Sequence, residues 1–270
     1  MGLFGRLKRG LALTKDSIGV LRHNPSLLSF PLVGGASALV FLAVLLGTTY
    51  GVIGVPEDEA VAVGLLFAVY FVSTFVTSFF TAALVSETRQ AFDGRPPDFG
   101  RGLAAAWRVK GKLVVWAVIA ATIGVVIRVV ESSDSRIARV FAWVFSAAWS
   151  VLTFFVVPVA VLEPDVGLTG MFRRSGSTFR ETWGETAIGM VGPGVIAFLV
   201  FLVGAGVGFG IVTATGSTLA AGAVVAVFVV LGLLVAATTK GIIKTSLYVY
   251  ATEGKRPSEF ASRDFERLGE

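Results

Sequence analysis

The chain has 270 residues, 54% of them apolar and only 15% charged, with a net charge of +5, a pI near 9.7 and no cysteine. A charged share this far below the roughly one quarter of soluble domains excludes an ordinary soluble protein. The missing cysteine excludes disulfides, thiolate nucleophiles and thiolate metal ligands. The positive charge raises the possibility of nucleic acid as a partner, but its distribution along the chain points to membrane topology instead.

Residues 1–24 read as a basic amphipathic helix, with Leu3, Leu7, Leu11, Ile18 and Leu21 on one side and Lys8, Arg9, Lys15 and Asp16 elsewhere. Asn24 is the expected cap and Pro25 the expected first residue of the helix that follows. That next apolar run exceeds the roughly 7–15 residues of an export signal, so it reads as a retained span. Gly2 follows Met1, but Gly5 and Arg6 do not complete a myristoylation signal.

Six runs reach the length of about 20 residues needed to cross the hydrocarbon layer. They lie near 27–50, 61–85, 113–130, 140–162, 188–212 and 219–239. Lysine and arginine collect in alternate flanks: Arg6, Lys8, Arg9, Lys15 and Arg22 before the first span, Arg89 to Lys112 after the second, Arg173, Arg174 and Arg180 after the fourth, and Lys240 to Arg267 at the end. The other side holds Arg128, Arg136 and Arg139, the acidic turn Glu57, Asp58 and Glu59, and the uncharged loop TATGS. Short basic flanks stay on the cytoplasmic side, so both termini are expected there, in a multi-pass protein of the cell membrane.

The expected fold is all-α: a polytopic transmembrane bundle of six spans, arranged as three hairpins joined by cytoplasmic amphipathic helices. Residues 1–24 form the basic helix, 25–250 the transmembrane domain and 251–270 a cytoplasmic tail. Two connecting segments share a signature that differs by one residue of spacing after the glycine, Ala91, Gly94, Pro97, Asp98 and Phe99 against Ala251, Gly254, Pro257, Glu259 and Phe260. This reads either as the trace of a threefold hairpin repeat or as turn chemistry alone.

The segment LEPDVGLTGMFRRSGSTFRETWGE, residues 162–185, has Leu168, Phe172, Phe179 and Trp183 along one face at helical period. Arg173, Arg174 and Arg180 fall off that face and are candidate contacts for anionic lipid headgroups. Ser175 interrupts the stripe, which leaves open that this face packs on the spans or that the segment is a plain connector.

Chemistry is sparse. The central parts of all six spans lack Asp, Glu, Lys, Arg, His, Asn and Gln, which disfavours a proton relay, an intramembrane carboxylate protease or a serine–histidine dyad. His23, the one histidine, reads as a junction residue, and no metal site or cofactor is expected. Hydroxyls cluster in the second and fourth spans, where Ser73, Thr77, Thr81 and Ser150 either pack against neighbouring helices or line a cavity for a small solute. In the fifth span Gly204, Gly206, Gly208 and Gly210 form two overlapping small-xxx-small pairs, with the sixth span and its Ala220 to Ala223 start as the expected packing partner. An enzyme would need Glu87, Glu163 or Glu185 to meet an arginine near the interface.

The stretches LKRGLALTKDSIGVLRHNPSLLSFPLVGG, FRRSGSTFRETWGE and SLYVYATEG resemble an archaeal and bacterial family of six-span integral membrane proteins of unknown function. More distantly, Glu163, Gly167, Arg173, Arg174, Ser175, Trp183 and Gly184 make the region similar to the membrane domains attached to glycerophosphodiester phosphodiesterases. The catalytic domain of those enzymes has no counterpart here, so the resemblance implies no hydrolysis. The expected function is non-enzymatic, a scaffold, sensor or lipid-interacting module with membrane lipids as partners; a permease or exporter of a small solute is the competing expectation.

Overall fold

A computed structural model describes residues 3–54, 58–182 and 190–254, with the side chains of residues 3–12 and of Ile53 outside that description. The protein is an all-α, membrane-embedded chain in which six helical stretches are long and apolar enough to cross a bilayer. In chain order the helices are α1 (Leu3–His23), α2 (Ser29–Thr48), α3 (Glu59–Phe92), α4 (Phe99–Arg108), α5 (Lys110–Glu131), α6 (Arg136–Thr153), α7 (Val156–Leu162), α8 (Leu168–Glu181), α9 (Val191–Thr215) and α10 (Thr218–Glu253). Two compact units emerge, one from residues 1–28, 88–97 and 182–270, the other from 29–87 and 98–181.

In the first unit α9 and α10 pair along their lengths, and α1 packs against both. Gly204 lies directly against Phe228, so that a Cβ there would collide with the ring stem. One turn on, a Cβ on Gly208 would sit 2.7 Å from Val225 Cγ2 and 3.3 Å from the Ala221 carbonyl; from the other helix, one on Gly232 would sit 3.1 Å from the Ala197 carbonyl. These contacts run in antiparallel register and let two backbones approach closely where no hydrophobic effect drives helices together. Gly206 and Gly210 have open space at the Cβ position and belong to a different face.

α10 does not stop at Thr239, where hydropathy ends the sixth span. It continues as one helix of 36 residues to Glu253, because no residue breaks it before Gly254, whose φ of +63° closes the helix in the left-handed region. From Thr238 to Val249 it is buried apart from Lys240 and Lys244, with Ile242, Ile243, Leu247 and Tyr248 enclosed. α3 likewise overruns its apolar stretch and ends before Gly94, where φ is +75° and the Arg95 N–H donates to the Gln90 carbonyl. Arg89 ties the two ends together, donating to Asp93 at 2.5 Å and to Glu253 at 2.9 Å. Asn24 caps differently from expectation. Its side chain donates back to the Val20 carbonyl at 3.1 Å and closes α1, while a short 3-10 turn begins at Pro25.

The second unit holds four spans. α3 and α5 run antiparallel in fixed register: Trp116 Nε1 donates to Ser78 Oγ at 3.0 Å, and two turns along Gly124 faces the ring of Tyr70. α2 meets α3 where Gly34 rests on Phe80.

The fourth span is not continuous. It breaks at Phe154 and Phe155 into α6 and α7, because Pro158 offers no N–H to the Phe154 carbonyl and its ring crowds that carbonyl one turn back. The Phe155 N–H, freed from its own helix, donates instead to Ser175 Oγ of α8 at 2.9 Å in a buried site. Of the segments named from the sequence, residues 55–57, 183–189 and 255–270 lie outside the described residues, and with them Glu57, Trp183, Gly184, Glu185, the start of the fifth span at Ile188, Pro257, Glu259, Phe260 and most of the tail.

Substituting leucine at Gly204 or Gly208 is expected to overpack the α9–α10 seam and lower stability by about 1–3 kcal/mol. Leucine at Gly206 or Gly210 should change it by less than about 0.5 kcal/mol. Thermal unfolding of the four variants in detergent micelles separates the two outcomes.

Candidate functional site

α8 forms because its apolar and small residues recur at helical spacing, and it is held by one face. Met171, Ser175, Thr178 and Phe179 are buried, while Arg173 and Arg180 are exposed two turns apart on the opposite side. Phe172 joins Trp116 and Trp149 in a three-ring cluster with centroids 6.0–6.2 Å apart, and Phe179 sets its ring edge-on to Phe154 at 5.5 Å. The stripe expected from the sequence is thus rotated: Leu168 remains 38% exposed, and Ser175 points inward as the acceptor for the broken fourth span.

The approach to α8 is fixed as well. Lys112 Nζ donates to the Pro164 and Val166 carbonyls, each at 2.6 Å, and so satisfies backbone acceptors that follow the end of α7. Glu163 accepts from Arg174 Nε and Nη2, both at 3.2 Å. Among the three arginines singled out from the sequence, Arg174 is therefore engaged within the protein, and Arg173 and Arg180 present their cations outward.

A second charged knot lies where α3 meets α4, and there Glu87, one of the acids singled out from the sequence, meets an arginine, Arg101. Glu87 is fully buried; it accepts from Arg101 Nε at 3.0 Å, from Arg101 Nη2, and from the Asp98 backbone N–H at 2.8 Å. Asp98 in turn caps α4 by accepting from the Arg101 N–H at 2.7 Å. Gly102 makes room for the knot, since a Cβ there would sit 2.7 Å from the Phe30 ring and 2.9 Å from Glu87 Cγ. The Glu87 hydrogen bond raises the Arg101 pKa against a desolvation penalty, with the Glu87 and Asp98 charges adding to the rise. The sequence signal was present: an acid just past an apolar span, then Asp-Phe-Gly-Arg at capping spacing.

The hydroxyls have varied surroundings. Ser78 accepts from Trp116, while Ser150 donates to the Ser146 carbonyl at 2.8 Å and Thr153 to that of Trp149 at 2.7 Å, within their own helix. Thr77 and Ser150 are exposed, and Ser73 and Thr81 half-buried. A shallow crease of about 440 Å³ lies on α6, lined by Arg136, Ile137, Val140, Phe141 and Val144, and contains none of these hydroxyls. His23 is exposed, with Nδ1 2.9 Å from the Gly19 carbonyl. Among the described residues no three His, Cys, Asp or Glu side chains gather as metal ligands.

Residues 60–258, which include every span but the first, match DUF6159. The chain belongs to this family of unknown function. No curated protein and no solved structure matches it. In this chain α8 presents Arg173 and Arg180 outward while its other face is anchored.

Ser175→Ala leaves the Phe155 N–H buried without an acceptor and is expected to cost about 1–3 kcal/mol, whereas Ser177→Ala, whose hydroxyl bonds its own helix, should cost under about 0.5 kcal/mol. Arg101→Met strands the buried Glu87 carboxylate and is expected to lower stability. Unfolding in detergent, with Arg139→Met as the exposed control, measures both.

Proposed function

We propose that this DUF6159 protein is a non-enzymatic module that engages anionic lipid headgroups on one side of the membrane through the outer face of α8. The carrying observation is that α8 is tied down on its inner face by Ser175, Phe172 and Phe179 and at its flank by the Glu163–Arg174 pair, while Arg173 and Arg180 stay exposed. A helix free to roll would not need such fixings. One that must present cations at constant depth would, since each basic residue near an anionic surface contributes about 1 kcal/mol.

The same reading places the six spans as three hairpins with both termini, the region around Lys110 and α8 on the cytoplasmic side. Its support is the segregation of lysine and arginine along the chain. The similarity to membrane domains attached to glycerophosphodiester phosphodiesterases fits a non-catalytic role. Of the residues that carry it, Glu163 and Arg174 pair with each other and Ser175 satisfies the backbone of the broken span.

A permease is the second reading, and the break at Phe154 and Phe155 favours it, because interrupted spans line substrate paths in many transporters. Here the freed N–H is already bonded to Ser175 and aromatic rings flank the break, which favours a structural joint.

The absence of cysteine makes the topology directly testable. Single cysteines at Ser177 and Arg95 should react with a membrane-impermeant maleimide only from the cytoplasmic side, and cysteines at Ser132 and Ser217 only from the opposite side. Labelling of Ser177 and Ser132 from one side overturns the arrangement. Arg173→Gln with Arg180→Gln should reduce anionic phospholipid retained through purification, by up to about fivefold per charge; unchanged retention overturns the headgroup role.

A further inference from the structure

The face of α3 that carries four phenylalanines is the least explained surface of the second unit. Phe67, Phe71, Phe75 and Phe79 recur every four residues, and their ring centroids stand 6.3, 6.2 and 6.2 Å apart, the first three rings nearly parallel. Each ring is half-buried, so each leaves part of its surface open. The ladder continues into α4. Trp107 sets its ring edge-on to Phe79 at 6.4 Å, and Lys110 Nζ lies 3.8 Å over the Trp107 ring. Trp107 is 60% exposed, and both Lys110 and its neighbour Arg108 are exposed.

Two magnitudes say what this track fits. From Phe67 to Phe79 is twelve residues of helix, about 18 Å at roughly 1.5 Å per residue. One leaflet of hydrocarbon is about 15 Å, half of the ~30 Å core. The ladder therefore has the length of one acyl chain, and its charged end coincides with the start of α5 at Lys110, where the third span begins. Tryptophan favours that depth, with its ring partly in the apolar layer and its N–H toward the headgroups. Lys110 is held there by the ring quadrupole beneath it, which fixes a cation otherwise free on a flexible stem.

We infer that this ladder is a binding track for a single phospholipid with a net negative headgroup, its acyl chain lying along Phe79, Phe75, Phe71 and Phe67 and its phosphate at Lys110 and Arg108. The inference deepens the lipid-interacting reading by naming the lipid class and a site distinct from the outer face of α8, and it rests on that reading for the embedding of the chain. A zwitterionic lipid would bring its own cation against Lys110 and gain less there. A protein helix is disfavoured by the charge at one end only, since a membrane helix presents no fixed anion at that depth.

The test is native mass spectrometry of the full chain in detergent, titrated separately with phosphatidylglycerol and phosphatidylcholine. The wild-type protein should retain phosphatidylglycerol in preference to phosphatidylcholine. Lys110→Gln should weaken phosphatidylglycerol binding about fivefold and phosphatidylcholine binding by less. Phe71→Ala with Phe75→Ala should weaken both lipids. Arg139→Gln, on another helix end, should change neither, and thermal unfolding confirms that each variant is folded; should the double alanine variant fail to fold, Phe75→Leu replaces it. Equal retention of the two phospholipids by the wild type, or unchanged phosphatidylglycerol binding in Lys110→Gln, overturns the track. Because Arg173→Gln with Arg180→Gln leaves the ladder intact, loss at α8 without loss at Lys110, or the reverse, tells the two proposals apart.

Discussion

In hydrocarbon a backbone N–H has no water to turn to, and that constraint governs this protein more than any side-chain attraction. A continuous helix satisfies it automatically. The fourth span is where it is not automatic, because the helix breaks at Phe154 and Phe155, one turn before Pro158, and the Phe155 N–H has no helical carbonyl to bond. The solution comes from outside the span: the hydroxyl of Ser175, twenty residues later, accepts that proton. The position of α8 thus follows from a backbone requirement, and the aromatic contacts of Phe172 and Phe179 reinforce a placement the hydrogen bond already demands.

The same economy explains the polar groups that the second unit does bury. Glu87 is enclosed, yet a guanidinium and a backbone N–H meet its oxygens, and the missing side chain of Gly102 leaves room for them. Lys112 spends its charge on two carbonyls at the end of a helix. Each of these groups holds one element against another, whereas Arg173, Arg180, Arg108 and Lys110 are among the exposed cations of the described residues.

The sequence made the number and approximate place of the spans legible, because apolar length alone marks them. It did not mark their ends. Hydropathy falls at Val85 and Thr239, but helices end where the backbone is made to turn, and Gly94 and Gly254 with positive φ stand several residues further on. Spacing raised the glycine pairs without saying which faces a partner; only the position of Phe228 and Val225 separates Gly204 and Gly208 from Gly206 and Gly210. Pro158 was visible too, though its consequence depended on a serine elsewhere. Ser175 looked like a flaw in an apolar stripe, and a polar residue at such a place is better read as an answer to a backbone group not yet found.

The docking of α1 has a consequence for how the chain is made. α1 packs against α9 and α10, and Thr14 sits against Gly192, some 180 positions away in the sequence. α1 therefore has no seat until α9 and α10, which follow it in the chain, have been inserted. Its docking is a late, long-range step of assembly, made only after the spans between have been laid down.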